Sequence, residues 1–258
     1  MSDLFPAKLR TLGRCFCIIT GASRGFGWAL AHKVSHLVQP GSVLLLVARS
    51  EALLRTLKEE LRSFASEREL HVHCVAADLS TRDGVNATVA AAKRERALAD
   101  DVDHVLLVNN AASLGDISGF VSFTDLEQVT SYLSFNVSSA LALTAGLLQV
   151  FPHAPGRRRT VVNVSSVFAL QPLQSWVLYC TAKAARGMMF RVLAQEEPTV
   201  KVLSYSPGPM ETEMQEEIRR LTGISHRLLP CHEPADKLMK LLLDYDFRSG
   251  AHLDFFDV

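Results

Sequence analysis

Thr20-Gly21-Ala22-Ser23-Arg24-Gly25-Phe26-Gly27 follows the apolar run 15–19 and opens a helical pattern. In a strand-to-helix turn of this kind, Gly21 permits the tight reversal and Gly25 lets the backbone approach a pyrophosphate. Gly27 lets helix and strand pack closely. The helix N-terminus adds free N–H groups and partial positive charge, which suit a phosphate. Ser23, Arg24 and Phe26 complete the candidate phosphate contacts. Glycine-rich turns also serve purely structural ends, but placement on the first strand favours the binding reading.

Short β-branched runs at 15–20, 43–47, 71–76, 105–108, 160–164, 200–205 and 251–255 read as strands. Several are continuously apolar, as parallel strands covered on both faces should be. Helical patterns lie between them at 27–38, 51–67, 81–97, 125–150, 176–197, 211–221 and 234–243. Pro40-Gly41 separates the first helix from the second strand, Pro198 follows the long fifth helix, and Pro234 suits a first helical turn. Right-handed crossovers then give an α/β, Rossmann-type, doubly wound sheet of seven mostly parallel strands with helices on both faces. One domain spanning 1–258 is expected, combining dinucleotide binding and catalysis.

Charge bounds the partners. Lys and Arg number 27, as do Asp and Glu. A balanced chain lacks the basic excess of a nucleic-acid binder or a polybasic membrane-surface protein. The run Arg157-Arg158-Arg159 reads as a solvated loop before a strand. Early charges (Asp3, Lys8, Arg10, Arg14) and the short first apolar run fit neither a signal peptide nor a membrane span, and no later stretch is read as spanning. Five cysteines, without zinc-binding spacing, suggest reduced thiols in the cytoplasm and no metal.

The second strand ends Val47-Ala48-Arg49-Ser50. An NAD site would place a carboxylate there for the ribose hydroxyls. Ala48 stands instead, with Arg49 after it and Arg24 in the glycine turn. Two guanidinium groups and no carboxylate suit the 2′-phosphate of NADP(H); the alternative is two exposed arginines that bind nothing. Asp78-Leu79 ends the third strand, where a side chain and an amide suit an adenine ring. Asn109-Asn110-Ala111-Ala112 ends the fourth.

Tyr179-Cys180-Thr181-Ala182-Lys183 puts a phenol and an ammonium at i and i+4 on one helical face. A neighbouring ammonium favours the phenolate and would bring a tyrosine toward working pH. Ser166, at the end of a strand, can donate to a substrate carbonyl oxygen. Each feature alone is weak, since Tyr-x-x-x-Lys arises by chance on many helices. Their order and spacing behind a phosphate turn is far harder to reach by accident.

Together these residues resemble the short-chain dehydrogenase/reductase superfamily, through 20–27, Asn-Asn-Ala at 109–111, Ser166 and Tyr-x-x-x-Lys at 179–183. The resemblance implies a catalytic set of Ser166, Tyr179, Lys183 and Asn136, the last as part of a proton relay. It also implies that Asn109, Lys183, Met210 and Thr212 contact the cofactor. Ala112 stands where the family usually has glycine, and its methyl group is expected to crowd the turn.

Stretches 20–27, 40–44, 113–116, 169–172, 176–180 and 249–257 are similar to the branch that reduces side-chain carbonyls on pterins. That likeness implies NADPH-dependent reduction closing tetrahydrobiopterin synthesis, by a homodimer joined through the long helices after strands four and five. It makes Asp254 the substrate anchor, accepting adjacent N–H donors of a pterin; read alone, Asp254 is a solvated strand-end acid. Val167 and Gly208 would flank the substrate beside Ser166 and Tyr179, and Trp176 and Met210 are either its apolar walls or core. The segment 215–233 is expected to be a mobile cover. Competing readings are a general NADPH-dependent reductase of small ketones or diketones and a non-catalytic NADP(H)-sensing protein.

Overall fold

The computed structural model describes residues 11–62, 69–97 and 101–258. Asp3, Lys8 and Arg10, and residues 63–67 of the expected second helix, lie outside the described residues. Seven strands form one sheet: β1 (Cys15–Thr20), β2 (Val43–Ala48), β3 (His71–Ala76), β4 (His104–Asn109), β5 (Arg158–Val164), β6 (Val200–Ser206) and β7 (Ala251–Asp254). Their order is β3-β2-β1-β4-β5-β6-β7, and every neighbouring pair is parallel. Among the described residues the helices are α1 (Gly25–Leu37), α2 (Glu51–Glu60), α3 (Arg82–Arg96), α4 (Leu126–Leu133), α5 (Ser139–Val150), α6 (Val177–Glu196), α7 (Glu213–Thr222) and α8 (His232–Asp244).

The apolar strands divide their side chains between two cores, because successive residues of a strand point to opposite faces. Cys15, Cys17 and Ile19 of β1 join Leu30 and Val34 of α1, Leu54 and Leu57 of α2, and Leu238 and Leu242 of α8. Phe16 and Ile18 point the other way, to Ala91 of α3, Leu143 and Leu147 of α5, and Phe190 of α6. Each such leucine or isoleucine contributes roughly 1.5–3 kcal/mol by leaving water. Every residue of β1, β2 and β4 is buried, whereas edge strand β3 is open at both ends. Chain direction across the sheet reverses between β1 and β4, so their carboxyl ends frame a crevice of the kind where ligands bind.

Three expectations are corrected. The helix expected over 125–150 is not uniformly α-helical: a π-turn, Ser134–Ser138, joins α4 to α5 and carries Asn136. The stretch Leu126–Val150 is also long and apolar enough by composition to cross a membrane, contrary to the sequence reading; here α5 packs onto the sheet. Arg158 and Arg159 are not loop residues but begin β5. Arg159 is buried and donates to Glu197 at 3.4 Å and to Thr199, while Arg158 donates to the Leu12 carbonyl at 2.9 Å. Their partners lie far off in the chain, so no local pattern announces the burial. Pro234 does fall in the first turn of α8, and α6 ends just before Pro198.

Candidate active site

The glycine turn is built as its sequence requires. Gly21 and Gly25 hold φ of 63° and 54°, a left-handed region open to glycine at little cost. A Cβ on Gly27 would stand 2.2 Å from the Gly21 carbonyl oxygen, so only glycine lets α1 begin against the turn. Among the described residues no side chain caps α1, and its first turn carries no acid. Its leading N–H groups therefore lack side-chain acceptors where Gly21, Ser23, Arg24, Gly25 and Phe26 line a large cavity. Arg49, Ser50 and Leu79 line the same end, and Ser50 also caps α2 by accepting from the Leu53 amide at 3.4 Å. Arg24 reaches across to Glu213, at the start of α7, and forms an ion pair.

Some expected contacts are placed differently. Asn109 faces the interior, its amide donating to Thr144 Oγ1 at 3.0 Å. The next residue, Asn110, lines the cavity and donates to the carbonyls of Thr20 at 2.8 Å and Gly21 at 3.2 Å. Alternation at the end of β4 makes the choice, and both residues are asparagine, so composition alone gave no reason to prefer the second. Asp78 is exposed, away from the cavity wall, and accepts from the Ser80 amide at 2.9 Å; that bond holds its carboxyl below the usual range. Gly27 sits behind the wall. Ala112 lines the cavity without a positive φ, so its methyl group imposes no backbone strain.

Ser166, Tyr179 and Lys183 all line the cavity. Ser166 follows β5, and its Oγ accepts from the Phe168 amide at 3.2 Å, leaving its own proton to donate. Tyr179 and Lys183 share one face of α6, with the ammonium 5.4 Å from the phenol ring centre. Lys183 is buried and donates to the Val164 carbonyl at 2.9 Å. Burial, then the nearby Arg186 charge, lowers Lys183 to about 7. Burial raises Tyr179 above the ordinary tyrosine value, against opposing pulls from Ser166 and Arg186. This corrects the expectation that the lysine brings the phenol down: desolvation dominates and keeps it protonated at neutral pH. Asn136 is 2% exposed and fully engaged: its Oδ1 accepts from the Ser113 amide at 2.8 Å, and its Nδ2 donates to Ser113 Oγ and the Tyr132 carbonyl, both at 3.0 Å.

Beyond these groups the cavity, about 1480 Å³ in volume, is walled by Val167, Trp176, Gly208, Met210, Thr212 and Asp254. Trp176 packs edge-on to Tyr179, ring centres 5.5 Å apart, and against Phe168 at the same separation. Gly208 takes φ 77°. Thr212 caps α7, accepting from the Gln215 amide at 3.4 Å. One Asp254 oxygen accepts from the Phe256 amide at 3.0 Å. Ile224 and His226, inside the expected cover segment, also reach the cavity.

Sequence reasoning passed over several groups here. Ser165 is buried on the wall, and its hydroxyl has no partner among the described residues. His252 hydrogen-bonds Ser206 Oγ at 2.7 Å beside Asp254. Arg186 lies beneath the site at i+7 from Tyr179, a spacing that puts it on the face of α6 shared by Tyr179 and Lys183.

Comparison with known proteins agrees with this geometry. The short chain dehydrogenase family model matches residues 16–222. The chain is 49% identical to sepiapterin reductase of Xenopus laevis, over 97% of this chain and 99% of that one. It is 48% identical to the Rattus norvegicus enzyme of the same name, over 96% and 98%. Benzil reductase of Bacillus subtilis is 30% identical over 78% of this chain and 77% of its own length. Among solved structures, a short chain dehydrogenase of Salmonella enterica superposes with a TM-score of 0.78 at 25% identity, covering 97% of this chain and 99% of its own. The chain belongs to the short-chain dehydrogenase/reductase family and is an oxidoreductase acting on carbonyl or hydroxyl groups of a small molecule with a nicotinamide cofactor.

Proposed function

We propose that this chain reduces side-chain carbonyls of pterins, of the sepiapterin or 6-pyruvoyl-tetrahydropterin type, with NADPH, as the closing step of tetrahydrobiopterin synthesis. The observation that carries this reading is one cavity lined by a phenol, a hydroxyl, an ammonium and the Asp254 carboxylate. Near-full-length similarity to proteins named sepiapterin reductase supports it.

The residues present fit the cofactor. The uncapped start of α1 offers amides to a pyrophosphate, and Arg24 and Arg49 offer guanidinium groups to a 2′-phosphate, with no carboxylate at the end of β2 to prefer a bare ribose. Phe26, Ser23 and Leu79 shape the adenosine end; Asn110 takes the wall position expected of Asn109. Lys183 is assigned to the nicotinamide ribose, and Met210 and Thr212 to the carboxamide end. When bound, the dinucleotide supplies hydride. Ser166 donates to the substrate carbonyl oxygen and polarises it. Tyr179, kept protonated by burial, holds the proton that this oxygen requires, and Lys183 with Asn136 supports its replacement. Asp254 holds the amino-pyrimidine edge of the pterin, with Val167 and Gly208 flanking it.

A homodimer is proposed on the apolar residues left exposed on α5 and α6, Leu141, Met188 and Val192. Five free thiols, two of them buried, suit the cytoplasm. A second reading, reduction of small diketones, is favoured by the benzil reductase relatives and by the apolar wall of Phe168, Leu173, Trp176, Met214 and Ile218.

The test is NADPH oxidation with sepiapterin, with NADH as cofactor control and a simple diketone as substrate control. Sepiapterin is expected to be the better substrate and NADPH the better donor. Asp254→Asn should weaken pterin reduction by about 10-fold or more while changing diketone reduction little. An equal loss on both substrates would make Asp254 a structural acid, and the diketone as better substrate would favour the second reading.

A further inference from the structure

Arg186 is among the largest side chains buried almost completely in the described residues, with 2% of its surface exposed. It carries a charge into the interior without an ion-pair partner among the described residues. Instead it makes three hydrogen bonds: Nε to Asn163 Oδ1 at 2.8 Å, Nη1 to the Ala111 carbonyl at 3.2 Å and Nη2 to the Asn109 carbonyl at 2.6 Å. Burying an unpaired cation is among the costlier arrangements available to a protein. A neutral side chain of similar length would fill this space more cheaply, so the charge itself calls for an explanation.

Position supplies one. Tyr179, Lys183 and Arg186 stand at i, i+4 and i+7 on α6, one face of the helix, and helical side chains lean toward the N-terminus. The guanidinium therefore reaches back beneath the other two. Its three acceptors are structural neighbours as well. Asn109 and Asn163 are paired in register on β4 and β5, and Asn163 in turn donates to Ser204 on β6 at 3.1 Å. Ala111 follows Asn110, which faces the cavity, and Asn163 precedes Ser165 and Ser166 by two and three residues.

We propose that Arg186 is a positioning residue for the reaction: it clamps the ends of β4 and β5 to the catalytic helix and holds a fixed positive charge under Tyr179 and Lys183. The groups facing Tyr179 are Cys180, Lys183 and Arg186 from its own helix, Tyr132 from α4 and Ser166 from the turn after β5. Those facing Arg186 are Tyr179, Lys183 and Tyr132. Burial lowers Arg186 itself only to about 10, so it stays charged where the enzyme works. Its charge lowers both Tyr179 and Lys183. Removing it raises both, so the sign of the effect is the same whichever group a pH profile reports.

The inference rests on the oxidoreductase assignment and not on the identity of the substrate. Single-turnover hydride transfer is followed against pH with whichever carbonyl, sepiapterin or a diketone, the wild type reduces. Arg186→Gln deletes the charge, Asn163→Asp pairs it with a nearly isosteric carboxylate, and Arg186→Lys keeps it while losing part of the clamp. In the first two variants the limb that falls as pH rises is expected to move up by about one unit. In Arg186→Gln the rate at neutral pH should also drop about 10- to 100-fold, with the NADPH dissociation constant changing about threefold at most. Arg186→Lys should keep the wild-type limb even where its rate falls.

A limb unmoved in both Arg186→Gln and Asn163→Asp, or moved equally in Arg186→Lys, overturns the proposal and leaves Arg186 a packing element. If Arg186→Gln does not fold, Asn163→Asp alone decides. A wild type that reduces neither substrate counts against the proposed function instead. The ultraviolet phenolate titration of Tyr179, taken as the difference from Tyr179→Phe, then tests the same shift without substrate.

Discussion

Tyr179 sits among groups that pull its proton in opposite directions. Burial and Cys180 hold the proton on; Ser166 and Arg186 favour its release, and burial prevails. For the proposed carbonyl reduction this is the useful imbalance, because a phenol that delivers a proton must carry one at working pH. Tyr179→Phe keeps the ring and its edge-on contact with Trp176, and removes only the hydroxyl. Turnover is expected to fall by about 100- to 10,000-fold, while NADPH affinity, read by fluorescence titration, stays within about threefold. Near-normal turnover would remove Tyr179 from the reaction. Order and spacing marked the tyrosine, the lysine and the serine as candidates, and the family resemblance gave them roles. Their protonation states were not, because desolvation depends on what the rest of the fold places around them.

At the scale of elements, the turn from β1 into α1 was the most readable part of the chain, since steric need and residue type coincide there. Gly27→Ala tests that reading directly. The added methyl group would meet the backbone oxygen of Gly21, which has no rotamer to retreat into. Stability is expected to drop by about 1–3 kcal/mol, with weaker dinucleotide binding alongside; thermal melts and a cofactor titration check both. Wild-type stability in this variant would mean that the turn is looser than its contacts indicate. Other elements hid their features for physical reasons. The π-turn at Ser134–Ser138 is one residue of extra winding in an otherwise regular apolar pattern, and it buries Asn136 where periodicity shows only an isolated polar side chain. Arg158 and Arg159 look like a solvated basic run until Glu197, Thr199 and the Leu12 carbonyl arrive from elsewhere in the chain.

Across the whole molecule, the all-parallel sheet brings buried polar groups to both ends of its strands, and the end opposite the cavity carries a pH liability. His104 is fully buried at the start of β4, hydrogen-bonded to Thr160 Oγ1 at 2.8 Å. Burial foremost, with Arg158 adding repulsion, lowers it from 6.5 to about 4. The unfolded chain takes up a proton below pH 6.5 that the folded chain refuses. Stability from this group is therefore intact above pH 6.5 and lost as pH falls toward 4, by about 3 kcal/mol at most. Urea unfolding from pH 7 down to about 4.5 should show that decline, and His104→Gln should flatten it. An identical slope in the variant would assign the acid sensitivity elsewhere.

The bridge between Arg24 and Glu213 bears on how a ligand enters. A phosphate arriving at Arg24 finds the guanidinium already satisfied by a carboxylate from across the crevice, so docking there is a change of counterion and not a first neutralisation. In the proposed cofactor mode, the 2′-phosphate and Glu213, at the head of α7, would compete for one guanidinium.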